Sequence, residues 1–253
     1  MHKRGYFRKH PLYPTWDPAD DAPPPPVSSV GEAQDRIPTI LQNIDFTARE
    51  ILLDLGDDPG THLTDLDISV KAHEAHWIPQ MVPLSKEMTI LDLGCGYGRS
   101  AEWLWRTVRK VYGVDISKEI IQVCKTRFRA IQNVEFYENA GNDLGMFPPN
   151  SFDLIYCFNV FQHIPREMTA AYLEEFRRTL KLGGFCLFNL VSGVNEDTKY
   201  GEPGTEWTIG YRQEEVRTMV EAAGLHLVRI HTWKVKRFEP YWLWVLATEA
   251  ETI

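Results

Sequence analysis

From about residue 88 the chain alternates between short apolar runs and longer amphipathic segments. The apolar runs predict five strands, in TILDLG, KVYGVD, NVEFYE, SFDLIYCFN and FCLFNLV. Other segments predict helices over about 98–108, 117–129 and 166–182, the last of them closed by Gly183 and Gly184. Regular alternation of this kind is typical of a parallel sheet covered by helices.

A polar insertion over about 192–210, which contains glycine and proline, follows the fifth strand. A helix is then predicted near 213–223. The stretches LHLVRIHTW and YWLWVLATE predict two further strands joined by a short turn. We therefore expect one α/β domain over 88–253.

The region before this domain has a different composition. Half of the sixteen prolines lie before residue 40, including the run from Pro23 to Pro26. Such a stretch favours polyproline II and cannot build a core by itself. We expect residues 1–44 to form an extended arm or lid, and residues 45–87 to form a helical cap on the main domain.

Charge and hydropathy exclude several classes of partner. The formal net charge of −8 argues against nucleic acid, because phosphate binding requires a dense basic surface. No apolar run approaches the roughly 20 residues that a membrane span needs. The basic N-terminus lacks the apolar stretch of a secretory signal. We expect a cytoplasmic protein without a membrane partner, and the oligomeric state stays open.

Neither the cysteines nor the histidines form a metal-binding pattern. The four cysteines lie far apart without a CxxC pair: Cys95, Cys124, Cys157 and Cys186. We expect reduced thiols that act as small core residues. His73 and His76 give the spacing HExH, whereas the zinc-binding pattern is HExxH. No metal is expected.

The strongest chemical signal is the stretch ILDLGCGYGRS, from Ile90 to Ser100. A strand runs into a turn whose glycines, Gly94, Gly96 and Gly98, let the backbone approach a ligand closely. Asp115 ends the next strand, where a carboxylate can accept hydrogen bonds from both hydroxyls of a ribose. The pair of features indicates a ligand that contains adenosine. The GxGxG spacing differs from the dinucleotide fingerprint GxGxxG, and no phosphate-binding GxxxxGK[ST] loop is present.

Four stretches, LDLGCGYG, VYGVDIS, SFDLIYCFNVFQHI and LKLGGFCLF, together resemble the class I S-adenosylmethionine (SAM)-dependent methyltransferases. The resemblance covers about residues 88–248. It implies a Rossmann-like seven-stranded sheet in the order 3-2-1-4-5-7-6 with the last strand antiparallel. It also implies SAM as methyl donor, with S-adenosylhomocysteine as the product.

The resemblance further implies which residues contact SAM. The first strand and its turn would supply Asp92, Gly94, Cys95, Gly96 and Gly98, with the glycines against the methionyl part. Asp115 would bind the ribose and Ile116 would lie against the adenine. Phe158 would offer its carbonyl to the amino group of SAM.

The residues offer three candidates for the contact with the adenine amino group. The family has an acid or amide after the third strand, and the closest register places Ala140 there. A shift of one residue places Asn139 in this role, which we slightly favour. Backbone amides near Gly141 and Asn142 are the third option.

His163 follows the fourth strand, near the position of the transferred methyl in this family. Neutral imidazole titrates near working pH, so His163 could act as a general base. It could equally support the fold by hydrogen bonding, and we favour this second interpretation.

These features predict transfer of a methyl group from SAM to an oxygen or nitrogen of a small-molecule acceptor, with secondary metabolism as one setting. Two alternatives stay open. One is a SAM-binding protein that does not methylate, and the other is a nucleotide-linked oxidoreductase.

Overall fold

The computed structural model describes residues 78–79, 81–199, 208–233 and 241–249. Seven strands in these residues form one sheet in the order β3-β2-β1-β4-β5-β7-β6. The strands are β1 (Thr89–Leu93), β2 (Lys110–Asp115), β3 (Val134–Glu138), β4 (Phe152–Cys157), β5 (Leu180–Ser192), β6 (His226–Trp233) and β7 (Tyr241–Thr248). β1 to β5 are parallel, and β7 runs antiparallel between β5 and β6. The predicted order and the antiparallel last strand are confirmed.

Helices cover both faces of this sheet. They are α1 (Arg99–Leu104), α2 (Lys118–Arg127), α3 (Arg166–Thr179) and α4 (Gln213–Ala222). Buried side chains of α1 and α2 belong to one apolar cluster, and those of α3 and α4 belong to a second cluster. The strands between them are largely buried, as expected for a parallel sheet with both faces covered.

The prediction for the end of α3 was wrong. The helix ends at Thr179, and Leu180 already pairs with Phe152 as the first residue of β5. The next recorded pair is Phe185 with Leu154, so the strand carries a bulge between them. Gly183 and Gly184 lie in this bulge instead of capping the helix. Gly183 has φ +76° there, a conformation that most side chains rarely adopt.

Most of the predicted arm and cap, residues 1–77, lies outside the described residues. The assignment of an arm, a cap and an insertion therefore stays a prediction. The described end of the cap packs on the domain, because Ile78 and Val82 are buried in the same cluster as α1 and α2.

Across the described residues, no helix is long and apolar enough to span a bilayer. The same residues contain no group of three or more metal-ligating side chains, while His73 and His76 lie outside them.

Candidate functional site

The residues that the sequence singled out meet at the carboxyl edge of the sheet. The chain proceeds from β1 outward to β3 and then returns to place β4 on the other side of β1. Ligands of open α/β sheets bind at such a point, outside the carboxyl ends of the two diverging strands. Gly94 follows β1, Asp115 ends β2 and Phe158 follows β4.

The three glycines of the turn after β1 differ in what surrounds them. All of them have positive φ, between 49° and 75°. A β-carbon on Gly94 would come within 2.1 Å of the side chain of Val160, and one on Gly98 within 2.8 Å of Phe128. A β-carbon on Gly96 would meet nothing within 4 Å among the described residues. Within this part of the chain, Gly96 alone of the three glycines faces open space that a ligand could fill.

The backbone N–H groups of this turn are mostly used inside the protein. Gly94 and Cys95 both donate to the carbonyl of Val114, at 2.7 and 3.0 Å. Gly98 donates to the carbonyl of Cys95, and Gly96 donates to the carboxylate of Asp115 at 3.0 Å. A ligand at the turn would thus contact its open backbone surface without relying on these N–H groups.

The Asp115 carboxylate retains capacity to bind a ligand. One oxygen accepts the Gly96 N–H and the other accepts the N–H of Ser117, both at 3.0 Å. A carboxylate offers about four acceptor positions, so each oxygen can take another hydrogen bond. The next side chain, Ile116, is 64% exposed and lies against Gly141. A carboxylate followed by an exposed apolar surface suits a sugar joined to a flat base.

Two residues of α2, which the sequence analysis missed, hold the turn from below. The Cys124 thiol donates to the Gly96 carbonyl at 3.0 Å, and the Arg127 guanidinium donates to the Tyr97 carbonyl at 2.7 Å. Arg127 is only 3% exposed and also pairs with Glu102. Arg127 shares the buried stripe of α2 with Ile121 and Cys124. In the sequence, the signal for this role was a charged residue among the apolar positions of one helix face.

The cysteines behave as core residues. All four are free and buried, as predicted. Burial, together with a hydrogen bond from Cys124, raises the pKa of the Cys95 thiol well above its usual range. Asp92, in the strand before it, is buried at 5% exposure. Both side chains thus lie beneath the turn and not on its open surface.

The alternatives after β3 are separated by their environment. Asn139 is buried, and its amide group donates to the Asp143 carbonyl at 3.1 Å and to the Tyr172 hydroxyl at 2.7 Å. Its side chain therefore ties the β3 loop to α3. Ala140 is exposed, and its neighbour Gly141 has φ +97° beside Ile116. The Asn139 oxygen has no hydrogen-bond partner among the described residues, so the Asn139 side chain and the backbone groups near Gly141 both stay candidates for contact with a base.

The chain after β4 carries the candidate base. The Phe158 ring is buried against Trp244, with ring centroids 5.1 Å apart. His163 ends a short 3-10 helix (Phe161–His163), and its Nε2 lies 3.2 Å from Nε2 of Gln162. An amide nitrogen only donates, so the His163 Nε2 atom accepts. To take a proton from an acceptor molecule, this nitrogen would have to release Gln162.

Arg166, at the start of α3, anchors both described parts of the predicted insertion. Its guanidinium donates to the carbonyls of Thr198, Glu196 and Gly210 at 2.9, 2.9 and 2.6 Å. It also forms an ion pair with Glu215 of α4 at 2.6 Å. The described residues between β5 and α4 are therefore held against the helices beside the end of β4.

We expect Arg166→Ala to lower the free energy of unfolding by about 2–4 kcal/mol, because several charge-assisted hydrogen bonds are lost and water replaces only part of them. Urea unfolding measures this change. Arg217→Ala on α4 is the control, since the Arg217 side chain is exposed and its replacement should change the free energy of unfolding by less than about 0.5 kcal/mol. Equal losses in the two variants would contradict the anchoring role.

Tyr211, at the end of the insertion, belongs to the core. It is fully buried, and its hydroxyl lies 3.1 Å from the Thr169 hydroxyl and 3.3 Å from the Phe161 carbonyl. Burial raises the pKa of Tyr211 to about 12. This side chain therefore supports the 3-10 helix from below and does not line a cavity.

Comparison with known proteins finds similarity to methyltransferases in both sequence and fold. Residues 91–188 match the family model described as a methyltransferase domain. Among curated proteins, a ubiquinone biosynthesis O-methyltransferase of Albidiferax ferrireducens is 26% identical over 135 residues, which is 53% of this chain and 52% of the relative. The chain spans about half the length of the curated relatives it matches.

Solved structures share the fold at low identity. A SAM-dependent methyltransferase of Mesorhizobium loti is 17% identical with a TM-score of 0.57, covering 70% of this chain and 99% of that one. The [4+2]-cyclase SpnF is 15% identical with a TM-score of 0.60, covering 83% and 93%. The matched domain and the sheet order together confirm the predicted resemblance to the class I SAM-dependent methyltransferases.

Proposed function

We propose that this protein transfers the methyl group of SAM to an oxygen or nitrogen of a small-molecule acceptor. The observation that carries the proposal is the open space at Gly96 beside the Asp115 carboxylate, followed by the exposed Ile116. Within it, Asp115 would accept the ribose hydroxyls and Ile116 would support the adenine. The Phe158 carbonyl would accept the amino group of SAM.

Methyl transfer requires the lone pair of the acceptor to attack the sulfonium methyl group in line with the departing sulfur. The positive charge on sulfur disappears during this step, so the protein mainly aligns the reactants and excludes water. The segment held by Arg166 lies next to the 3-10 helix, since Ile209 donates its N–H to the Gln162 carbonyl at 2.9 Å. This segment is the candidate wall of the acceptor site.

Oxygen is the favoured acceptor atom. The curated relatives carry the name ubiquinone biosynthesis O-methyltransferase, which describes a hydroxyl acceptor on a small molecule. A phenolic hydroxyl is the corresponding chemistry for this chain. A setting in secondary metabolism remains a prediction that depends on identifying the acceptor.

Titration calorimetry with SAM, S-adenosylhomocysteine and NAD tests the first half of the proposal. We expect saturable binding of the two sulfur compounds and none of NAD. Catechol and benzylamine then serve as oxygen and nitrogen probes, with release of S-adenosylhomocysteine as the readout. Absence of SAM binding, or stoichiometric retention of NAD after purification, would contradict the proposal.

The second candidate is a SAM-binding protein that does not methylate. The observation in its favour is that SpnF, whose fold this chain shares, is named a cyclase. Tight binding of S-adenosylhomocysteine without methyl transfer to any acceptor in a broad panel of phenols and amines would favour this function.

His163→Ala tests whether His163, which follows β4, acts as a general base. If His163 is the general base, we expect turnover to fall by about 10²–10⁴-fold while SAM affinity is retained. A loss below about fivefold with an unchanged pH–rate profile would show that His163 only supports the fold through Gln162. Stopped-assay rates across pH 5–9, with SAM affinity measured in parallel, separate the two outcomes.

A further inference from the structure

The backbone at the end of β4 adopts a left-handed conformation at a residue other than glycine. Asn159 has φ +59°, directly after Phe158. Such backbone conformations are uncommon outside glycine and persist where surrounding structure holds them, often at functional sites. The following residue, Val160, occupies the position that a β-carbon on Gly94 would need. The conformation of Asn159 therefore determines the positions of Phe158 and Val160, which border the candidate SAM site.

A buried side chain of β5 holds Asn159 in this conformation. The Asn159 N–H donates to Oδ1 of Asn189 at 2.8 Å, and Nδ2 of Asn189 donates to Oδ1 of Asn159 at 3.2 Å. Regular pairing of β4 with β5 ends at Cys157 and Phe188, two residues before Asn159 and one residue before Asn189. The two side-chain amides thus continue the pairing beyond the last backbone pair.

Asn189 is a buried polar residue within the sheet. It is 2% exposed, lies opposite Trp244 of β7 and stands between the buried residues Phe188 and Leu190. Burying an amide is unfavourable unless it is hydrogen-bonded. Both ends of this amide are bonded to Asn159, so the residue type is explained by what it does to the β4 end and not by packing.

We propose that Asn189 is a positioning residue for SAM, acting through Asn159 to fix the Phe158 carbonyl and Val160 beside the glycine turn. The inference rests on the proposed function, since it assigns Asn189 to the same SAM site. Asn189 itself does not contact the ligand. Its loss removes two hydrogen bonds that favour the left-handed conformation of Asn159, and the geometry of the β4 end that receives SAM is weakened.

The test measures affinity for S-adenosylhomocysteine by calorimetry at 15 °C, together with the melting temperature of each variant. Asn189→Leu conserves approximate volume and removes both hydrogen bonds. We expect its affinity to fall about tenfold or more. Asn159→Gly, which adopts positive φ without strain, should bind within about threefold of wild type, whereas Asn159→Ala should bind about tenfold more weakly.

Two further variants separate positioning from simple structural support. Asn150 has φ +56° in the turn before β4, at the opposite edge of the sheet, so Asn150→Ala carries a similar strain without touching the site. It should lower the melting temperature and leave affinity unchanged. Adding Asn159→Gly to Asn189→Leu should restore part of the lost affinity, because glycine does not need the amide to hold it.

Wild-type affinity in Asn189→Leu, or equal affinities in Asn159→Gly and Asn159→Ala, overturns the inference while leaving the proposed function intact. If wild type itself fails to bind S-adenosylhomocysteine, the proposed function fails first. Should Asn189→Leu not fold, the comparison of Asn159→Gly with Asn159→Ala decides the matter alone. Tenfold separation of that pair, with unchanged affinity in Asn150→Ala, supports the positioning role.

Discussion

Replacing Asp115 with alanine is expected to weaken binding of S-adenosylhomocysteine by about 100-fold. Two ribose hydrogen bonds to a charged group, worth about 1.5–3 kcal/mol each, would be lost, and water would recover part of this. The substitution also removes the acceptor of the Gly96 N–H, so the turn loses one of its anchors. Titration calorimetry measures the change.

Asp153 provides a matched control for this experiment. Its carboxylate accepts the Thr89 N–H and pairs with Lys181, both at 2.7 Å, at the start of β4 on the opposite edge of the sheet. Asp153→Ala should therefore reduce stability while leaving affinity unchanged. Wild-type affinity in Asp115→Ala, or an equal loss in Asp153→Ala, would show that the ribose contact has been misassigned.

Gly96→Val is expected to abolish detectable binding of S-adenosylhomocysteine. The valine side chain would occupy the open space that Gly96 faces, and a β-branched residue at φ +49° is strained by about 1–2 kcal/mol. We expect the protein to remain folded, because no described residue other than the two chain neighbours has an atom within 4 Å of the new β-carbon. Binding and thermal unfolding are measured on the same preparation.

Gly183 separates the two effects of this substitution. It has φ +76°, a β-carbon on it would also meet nothing within 4 Å, and it lies in the bulge at the start of β5, away from the site. Gly183→Val should show a comparable loss of stability and normal affinity. Normal affinity in Gly96→Val would mean that the open space at the turn is not a ligand site.

The alternation of strands and helices, the position of the glycine turn and the acid at the end of β2 were determined by the sequence pattern, whereas the strand order came from the resemblance to a known family. Apolar runs long enough for one strand, separated by amphipathic segments, permit few arrangements other than a doubly covered parallel sheet. The GxGxG turn and Asp115 follow two adjacent strands, so the parallel sheet brings them to one edge. Local pattern is sufficient for features of this kind.

Local pattern failed where a residue's partner lies far away in the chain. The glycines after α3 resembled a helix cap, but Leu180 pairs with Phe152, and that pairing ends the helix three residues earlier. At the end of α3, tertiary hydrogen bonding thus outweighs the local signal. The contact of Asn139 with a ligand stays a prediction, since only its amide nitrogen is used, by Asp143 and Tyr172.

Only the tertiary structure showed why each of the three glycines is needed and which residues hold the site in place. Val160 and Phe128, which require two of the glycines, are separated from them by at least 30 residues, and Asn159 and Asn189 are likewise 30 residues apart. Arg166 gathers three carbonyls from a segment more than 29 residues further on. The sequence determined which strand ends carry the chemistry, because that depends on periodicity; the geometry that holds those ends in place depends on contacts between distant residues, which periodicity does not encode.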